Sequence, residues 1–178
     1  QTWREMPYYL KGYEAEYAKS PKEAALAWFK DARFGLFIHW GPASLYAQGE
    51  WVMYNKNIPL DEYVQKAREF KGEKFNAQDY VDLAVSAKMK YITFVAKHHD
   101  GYVLWDSKAS DYNSMAFTPQ RDFVKELAVA CRKAGLGFFI YYSVGLDWYH
   151  PYYLPRSMYN PARPRYDKQP AQYKYEKP

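Results

Sequence analysis

The residue types able to do chemistry in this chain fall at the ends of apolar runs. Phe34-Gly35-Leu36-Phe37-Ile38 leads into His39-Trp40-Gly41, and Tyr91 to Ala96 leads into Lys97-His98-His99-Asp100-Gly101. A buried strand that stops abruptly at histidine, acid and glycine delivers polar groups to its C-terminal end, where parallel α/β folds keep their sites. Three imidazoles on two such ends are hard to account for as packing. They support two kinds of chemistry. Histidine and carboxylate at the mouth of a parallel fold can bind zinc or iron. Neutral imidazole, with one donor and one acceptor, also suits a hydroxyl-rich ligand. Adjacent residues on an extended chain point to opposite sides, so at most one of His98 and His99 aims along a given direction, which counts against a metal held by both. Asp100-Gly101 reads as a turn that fixes the histidines.

Other acid and aromatic pairs lie in the connections. Glu50-Trp51, between Tyr46 and Tyr54, reads as an acid and a stacking platform facing the same cleft as His39. Trp105-Asp106-Ser107 fits either a similar role or plain turn chemistry. Tyr141-Tyr142-Ser143 closes a third apolar run, where period-two alternation puts Tyr141 and Ser143 on one face and Tyr142 on the other. Asp147-Trp148 follows. Nucleophile-elbow, kinase and phosphate-loop motifs are absent.

The elements that must position these groups alternate. Ser20-Pro21-Lys22-Glu23 is a capping box with proline at the first helical position, predicting a helix to about Lys30. Arg33 to Ile38 reads as a strand. A long irregular connection from His39 to about Phe75 holds one helix, Leu60 to Phe70, on the spacing of Leu60, Tyr63, Val64, Ala67 and Phe70. Asn76 caps a helix to about Met89 with Tyr80, Leu83, Ala84 and Ala87 along its stripe. Tyr91 to Ala96 is the second strand, followed by a polar connection to Arg121. A helix from Asp122 to Ala134 turns Phe123, Val124, Leu127, Cys131 and Ala134 inward and stops at Gly135. Leu136 to Tyr142 is the third strand. Such an order predicts an α/β fold with parallel strands and long loops at their C-terminal ends, the N-terminal part of a (β/α)8-like (TIM) barrel. Beyond Asp147, six prolines and seven tyrosines without periodicity read as an extended loop packed by its aromatics.

Bulk properties narrow the function. The 178 residues suffice for one domain, and the longest apolar stretch, Leu136 to Tyr142, is far short of the ~18 residues that suggest a membrane span. A net charge of +5 carries 20 acidic residues with it, so no basic stripe tracks phosphates and nucleic acid is not an expected partner. The single Cys131 allows no internal disulfide and reads as a buried, inert thiol. Tyrosine is the dominant aromatic, with 20 residues beside 10 Phe and 6 Trp, and its flat face and hydroxyl suit sugar-binding clefts as well as interfaces. The chain begins at Gln1 rather than methionine, and an exported protein is expected.

The motifs FGLFIHWG, GEWV, KHHDGYVLWDS and IYYSVGLDW resemble, in order and spacing, the N-terminal half of the catalytic barrel of α-L-fucosidases of glycoside hydrolase family 29. The likeness runs from about Ala25 to Tyr153. It implies a (β/α)8-like barrel followed by a β-sandwich, metal-free and cofactor-free hydrolysis of terminal α-L-fucosyl residues with retention, and a secreted, periplasmic or lysosomal setting. Its substrates would be fucosylated glycans or small fucosides. The resemblance further implies that His39, His98 and His99 bind fucose hydroxyls, that Trp51 lines the pocket, and that Tyr141 sits near the reacting carbon. Glu50 matches a glutamate that orients these groups and is an auxiliary acid in some members.

One departure matters. A retaining glycosidase needs two carboxyl groups roughly 5 to 5.5 Å apart. In the family the nucleophile is an aspartate in a Trp-x-Asp motif at the end of the next strand, and the acid/base lies further on. Neither has a counterpart in this sequence. Residues 1–178 are therefore expected to be the N-terminal portion of a single catalytic barrel domain, completed by strands in the same or a second polypeptide. The competing expectations are a noncatalytic, lectin-like fucose-binding module and, third, a metal hydrolase.

Overall fold

The computed structural model describes residues 5–117 and 120–150. The proline- and tyrosine-rich run from 151 onward, expected as an aromatic loop, lies outside the described residues. The chain forms two compact units. The first takes in the described residues up to Ile38 together with Asn76–Phe94 and Lys125–Ile140; the second takes in His39–Phe75, Val95–Val124 and the described residues from Tyr141.

In the first unit, α1 (Glu14–Lys19) precedes α2 (Pro21–Ala32). The predicted cap is present: Ser20 Oγ accepts from Glu23 N–H at 3.3 Å, and Pro21 opens the helix. Strand β1 is Gly35–Ile38, shorter than expected because Arg33 takes a left-handed φ of 52° that ends the helix instead of starting the strand. It pairs in parallel with β2 (Tyr91–Lys97), in register from Gly35 opposite Tyr91 to Ile38 opposite Phe94. The three-stranded sheet has the order β1-β2-β3, with β3 spanning Gly137–Tyr142. An aromatic layer of Tyr9, Trp28, Tyr91 and Phe139 packs with ring centroids 4.8 to 6.0 Å apart. Gly35 is required beneath it, since a Cβ there would run into the Tyr91 ring.

Two helices of this unit refine the expected faces. In α5 (Ala77–Ser86), capped by Asn76 through Gln78 N–H at 3.0 Å, the buried residues are Val81 and Ala84. Leu83 is 54% exposed, against the expected stripe. The run from Tyr80 to Ala87 is apolar nearly all round, so its period does not choose one face. In α6 (Phe123–Ala134) the i, i+4, i+8 set Phe123, Leu127 and Cys131 is fully buried, while Ala134, expected inward, is exposed on the last turn. Gly135 then closes the helix at φ 72°. Burial pushes the Cys131 thiol up to about 12, which makes it unreactive near neutrality.

The second unit holds a core of Ala43, Val52, Met53, Ile58, Tyr63 and Trp148. The connection from His39 is less irregular than expected: a 3-10 turn over Pro42–Tyr46 and α3 (Val52–Asn55) precede the expected helix, α4 (Leu60–Ala67). Four- and five-residue turns span too few residues to show a period. The connection after β2 is not polar as expected, because Tyr102, Val103, Leu104 and Tyr112 are all within 3% of complete burial. Trp40 fills an aromatic box of Phe70, Phe75 and Phe123, with centroids at 4.7 to 4.9 Å. Arg121 closes that box by donating to Gly72 O at 3.0 Å and Phe75 O at 3.1 Å.

Candidate active site

Every side chain nominated from sequence belongs to the second unit. His39 follows β1, His98 and His99 follow β2, Glu50 and Trp51 come from the turn before α3, and Tyr141 is near the end of β3. The structure sorts them into two neighbouring groups.

The first group faces a pocket lined by His39, Glu50, His98, Asp100, Tyr102 and Leu104 among others. One imidazole nitrogen of His39, one of His98 and a carboxylate oxygen of Glu50 lie within 4.8 Å of one another. Tyr141 stacks on His98 at 5.9 Å and 25° and lies 6.3 Å from the His39 ring. The Nδ1 atom of His98 is buried without a hydrogen-bond partner. Burial, then the nearby His99 and His39, hold the His98 imidazole down at about 4, with Glu50 pulling the other way. It is neutral at physiological pH, with one donor and one acceptor to offer a ligand.

The second group is packed. His99 is 9% exposed and lies between Trp51 (4.9 Å) and Trp148 (5.6 Å), its ring 4.2 Å from that of His98. Its Nδ1 is 2.7 Å from Ser143 Oγ. Ser143 Oγ–H donates to Leu146 O, so the proton between the two belongs to His99 Nδ1. Trp51 also meets Tyr54 at 5.6 Å and Trp148 at 5.4 Å. Trp51 therefore touches His99 within the wall, and it is not among the residues lining the pocket.

The two histidines do not diverge as strand alternation predicts: β2 ends at Lys97, the chain turns over His98 to Gly101, and the two rings lie side by side. Tyr142 lies 6.0 Å from Trp105, while Tyr141 stacks on His98. Asp100 has the expected turn role. Its Oδ2 accepts from Tyr63 O–H at 2.8 Å and its Oδ1 from Tyr102 N–H at 3.1 Å. Burial pushes its carboxyl up to about 6, against the lowering effect of those two hydrogen bonds. Gly101, at φ 83°, leaves room for Tyr149 and Asp147, which a Cβ would strike. Asp106 has turn chemistry too, meeting Lys108 Nζ at 2.9 Å while Ser107 Oγ accepts from Ala109 N–H.

Sequence reasoning missed Lys97. It is 6% exposed, and its Nζ lies 2.7 Å from Asp147 Oδ2 and donates to Ser143 O at 3.2 Å. Asp147 Oδ1 in turn accepts from Tyr149 and His150 N–H at 3.0 and 2.8 Å. Trp148 N–H donates to His99 O at 2.6 Å and Ser143 N–H to Lys97 O at 3.0 Å. A lysine ending a strand as apolar as Tyr91 to Ala96 was the available signal, since a buried ammonium requires a partner.

With this geometry in hand, a family model described as alpha-L-fucosidase matches residues 6–177. The chain belongs to the α-L-fucosidase family. Curated relatives include tissue alpha-L-fucosidase of Bos taurus, 37% identical over 145 residues that cover 72% of this chain and 31% of that protein. Plasma alpha-L-fucosidase of Homo sapiens is 36% identical over 148 residues, covering 72% and 31%. Among solved structures, an alpha-L-fucosidase from Lactobacillus casei in complex with alpha-L-fucose product is 43% identical with a TM-score of 0.67, covering 70% of this chain and 42% of that one. Alpha-L-fucosidase isoenzyme 1 from Paenibacillus thiaminolyticus is 35% identical with a TM-score of 0.75, covering 85% and 35%. This fucosidase-family chain thus spans about a third of the length of the curated relatives it matches.

Proposed function

We propose that the chain supplies the fucose-binding half of a retaining exo-α-L-fucosidase site. The observation that carries the reading is the convergence of His39, Glu50 and His98 on one pocket. His39 and His98 exchange hydrogen bonds with the sugar hydroxyls. Tyr141 bounds the apolar face of the deoxy-sugar, with His99 and Trp51 packed behind the site. Glu50 orients the imidazoles as an auxiliary acid. Family membership supports the substrate class.

The nucleophile comes from outside residues 5–150. Retention requires a carboxylate free to attack the anomeric carbon. Asp100 is enclosed by Tyr63 and Tyr102, Asp147 is paired with Lys97, and Asp106 meets Lys108. The barrel's remaining strands complete the site in the same or a second polypeptide. Two observations favour that: Phe37 and Ile140, on the outer strands of the sheet, are 53% and 54% exposed. The relative named plasma alpha-L-fucosidase supports an exported setting. Among the described residues no helix is long and apolar enough to cross a membrane.

The test is turnover of an aryl α-L-fucoside by the enzyme completed with the remaining barrel strands, beside calorimetry with L-fucose. His39→Ala is expected to keep the fold and lower kcat/KM by about 100-fold or more, the size of a lost transition-state hydrogen bond to a sugar hydroxyl with its neighbours. Unchanged turnover in that variant would reject the assignment. Fucose binding with no turnover by residues 1–178 alone fits both this reading and a lectin-like module, whereas turnover by those residues alone would overturn the placing of the nucleophile outside them.

A further inference from the structure

His39, Glu50 and His98 form the only group of three or more histidine, cysteine, aspartate or glutamate side chains among the described residues whose donor atoms approach one another closely enough for a metal. Two imidazoles and one carboxylate with a fourth direction open are a zinc donor set. The surroundings agree. Among the described residues no lysine or arginine lines the pocket, so no fixed cation there competes for the carboxylate. Lys97, the buried ammonium beside β2, is committed to Asp147. His98 is anchored by the Tyr141 ring, and its Nδ1 is buried without a partner.

We infer that this trio is a binding site for a divalent transition cation, zinc or copper, and that the cation excludes a sugar from the pocket. Metal binding stands on the donor geometry alone; the competition rests on the fucose-binding reading above. Tetrahedral zinc with bonds of about 2.0 to 2.2 Å holds its ligand atoms roughly 3.4 Å apart. Donor atoms that lie within 4.8 Å of one another close by at most about 1.4 Å to reach that spacing. His39 is exposed and Glu50 half-buried, so these two move while stacked His98 stays. That adjustment makes the cation a reversible ligand and not a resident cofactor. Copper binds more tightly than zinc, following the usual divalent order. Magnesium and calcium, which take oxygen donors, find one carboxylate and are not held.

The experiment is calorimetric titration of zinc chloride into the chelator-treated protein, with magnesium chloride as control. One zinc per chain is expected. His39→Gln and Glu50→Gln weaken it by at least about tenfold, while His150→Gln, away from the trio, leaves it unchanged. Circular dichroism confirms that each variant is folded, and cobalt substitution reports the site independently through the visible bands of a four-coordinate ion. Excess L-fucose raises the apparent zinc Kd in the unaltered protein. No stoichiometric zinc, or zinc binding indifferent to both trio variants, overturns the metal site. Zinc that depends on the trio but ignores saturating fucose keeps the metal site and overturns the competition, and with it the placement of fucose on these residues.

Discussion

His98 and His99 are neighbours in sequence, with ring centroids 4.2 Å apart, yet they live in different surroundings. His98 opens onto the pocket, has a buried nitrogen without a partner and shares space with His39 and Glu50. His99 is enclosed by two indoles and tied to Ser143. One imidazole keeps hydrogen-bonding capacity for a ligand at the expense of stability, while the other is spent on holding the wall. β2 ends at Lys97 and the chain turns through Gly101, so the two rings sit side by side, and the residues that meet each of them, Tyr141 for His98 and Ser143 for His99, set the two roles.

The largest effect should come from the anchor behind the packed side. Lys97 and Asp147 join the end of β2 to the segment carrying Trp148, and both charges are largely out of water. Lys97→Met leaves the Asp147 carboxylate without its cation and is expected to cost about 3–5 kcal/mol in chemical denaturation. Adding Asp147→Asn removes the stranded charge while keeping an oxygen for the Tyr149 and His150 amides, and should recover much of that loss. A double variant no more stable than Lys97→Met would show that the pair is not the anchor.

The next effect is in pH. Folding raises Asp100 from 3.8 to about 6, so its neutral form is the stabilising one. Its contribution is complete below pH ~4 and is lost as pH rises through about 6, a change of up to ~3 kcal/mol for a shift of about two units. Folding lowers His98 from 6.5 to about 4, so its contribution is present above pH ~6.5 and lost as pH falls through about 4. Between pH 4 and 6 the two slopes oppose. In metal-free buffer Asp100→Asn should leave a protein that weakens on acidification, and His98→Gln one that strengthens. The same slope in both variants would mean that the two groups do not titrate as their surroundings require.

The strand ends were legible because a continuous apolar run needs burial on both faces, and its abrupt stop at histidine, acid and glycine marks where the chain leaves the core. The caps at Ser20 and Asn76 were legible because local hydrogen bonding dictates them. The side-by-side placing of His98 and His99 was not legible, because the pleat that would oppose them ends at Lys97. What the sequence could not reveal depends on partners far along the chain. Lys97 reads as an ordinary polar strand end until Asp147, fifty residues later, is seen beside it. Trp51 was expected in the cleft and instead backs His99, since nothing in the dipeptide Glu50-Trp51 says which of the two faces the pocket. Val81 displaced Leu83 on α5 because an apolar run offers several faces and the neighbouring element chooses.

The smallest effect is the most direct test of the contrast. His99→Leu keeps an apolar side chain between Trp51 and Trp148 but removes the Nδ1–H bond to Ser143, so it should cost about 1–2 kcal/mol of unfolding free energy. His98→Leu removes no hydrogen bond made within the described residues and should move stability by about 0.5 kcal/mol or less. For L-fucose the order inverts. His98→Leu deletes a donor and acceptor facing the pocket and should weaken binding by about 10- to 100-fold, one to two hydrogen bonds to an uncharged ligand. Denaturation and calorimetry on the same two variants give both numbers. If the two substitutions destabilise equally, the division of labour between the neighbouring rings is wrong even if both bind sugar, because the packed ring would then carry no more of the fold than the open one.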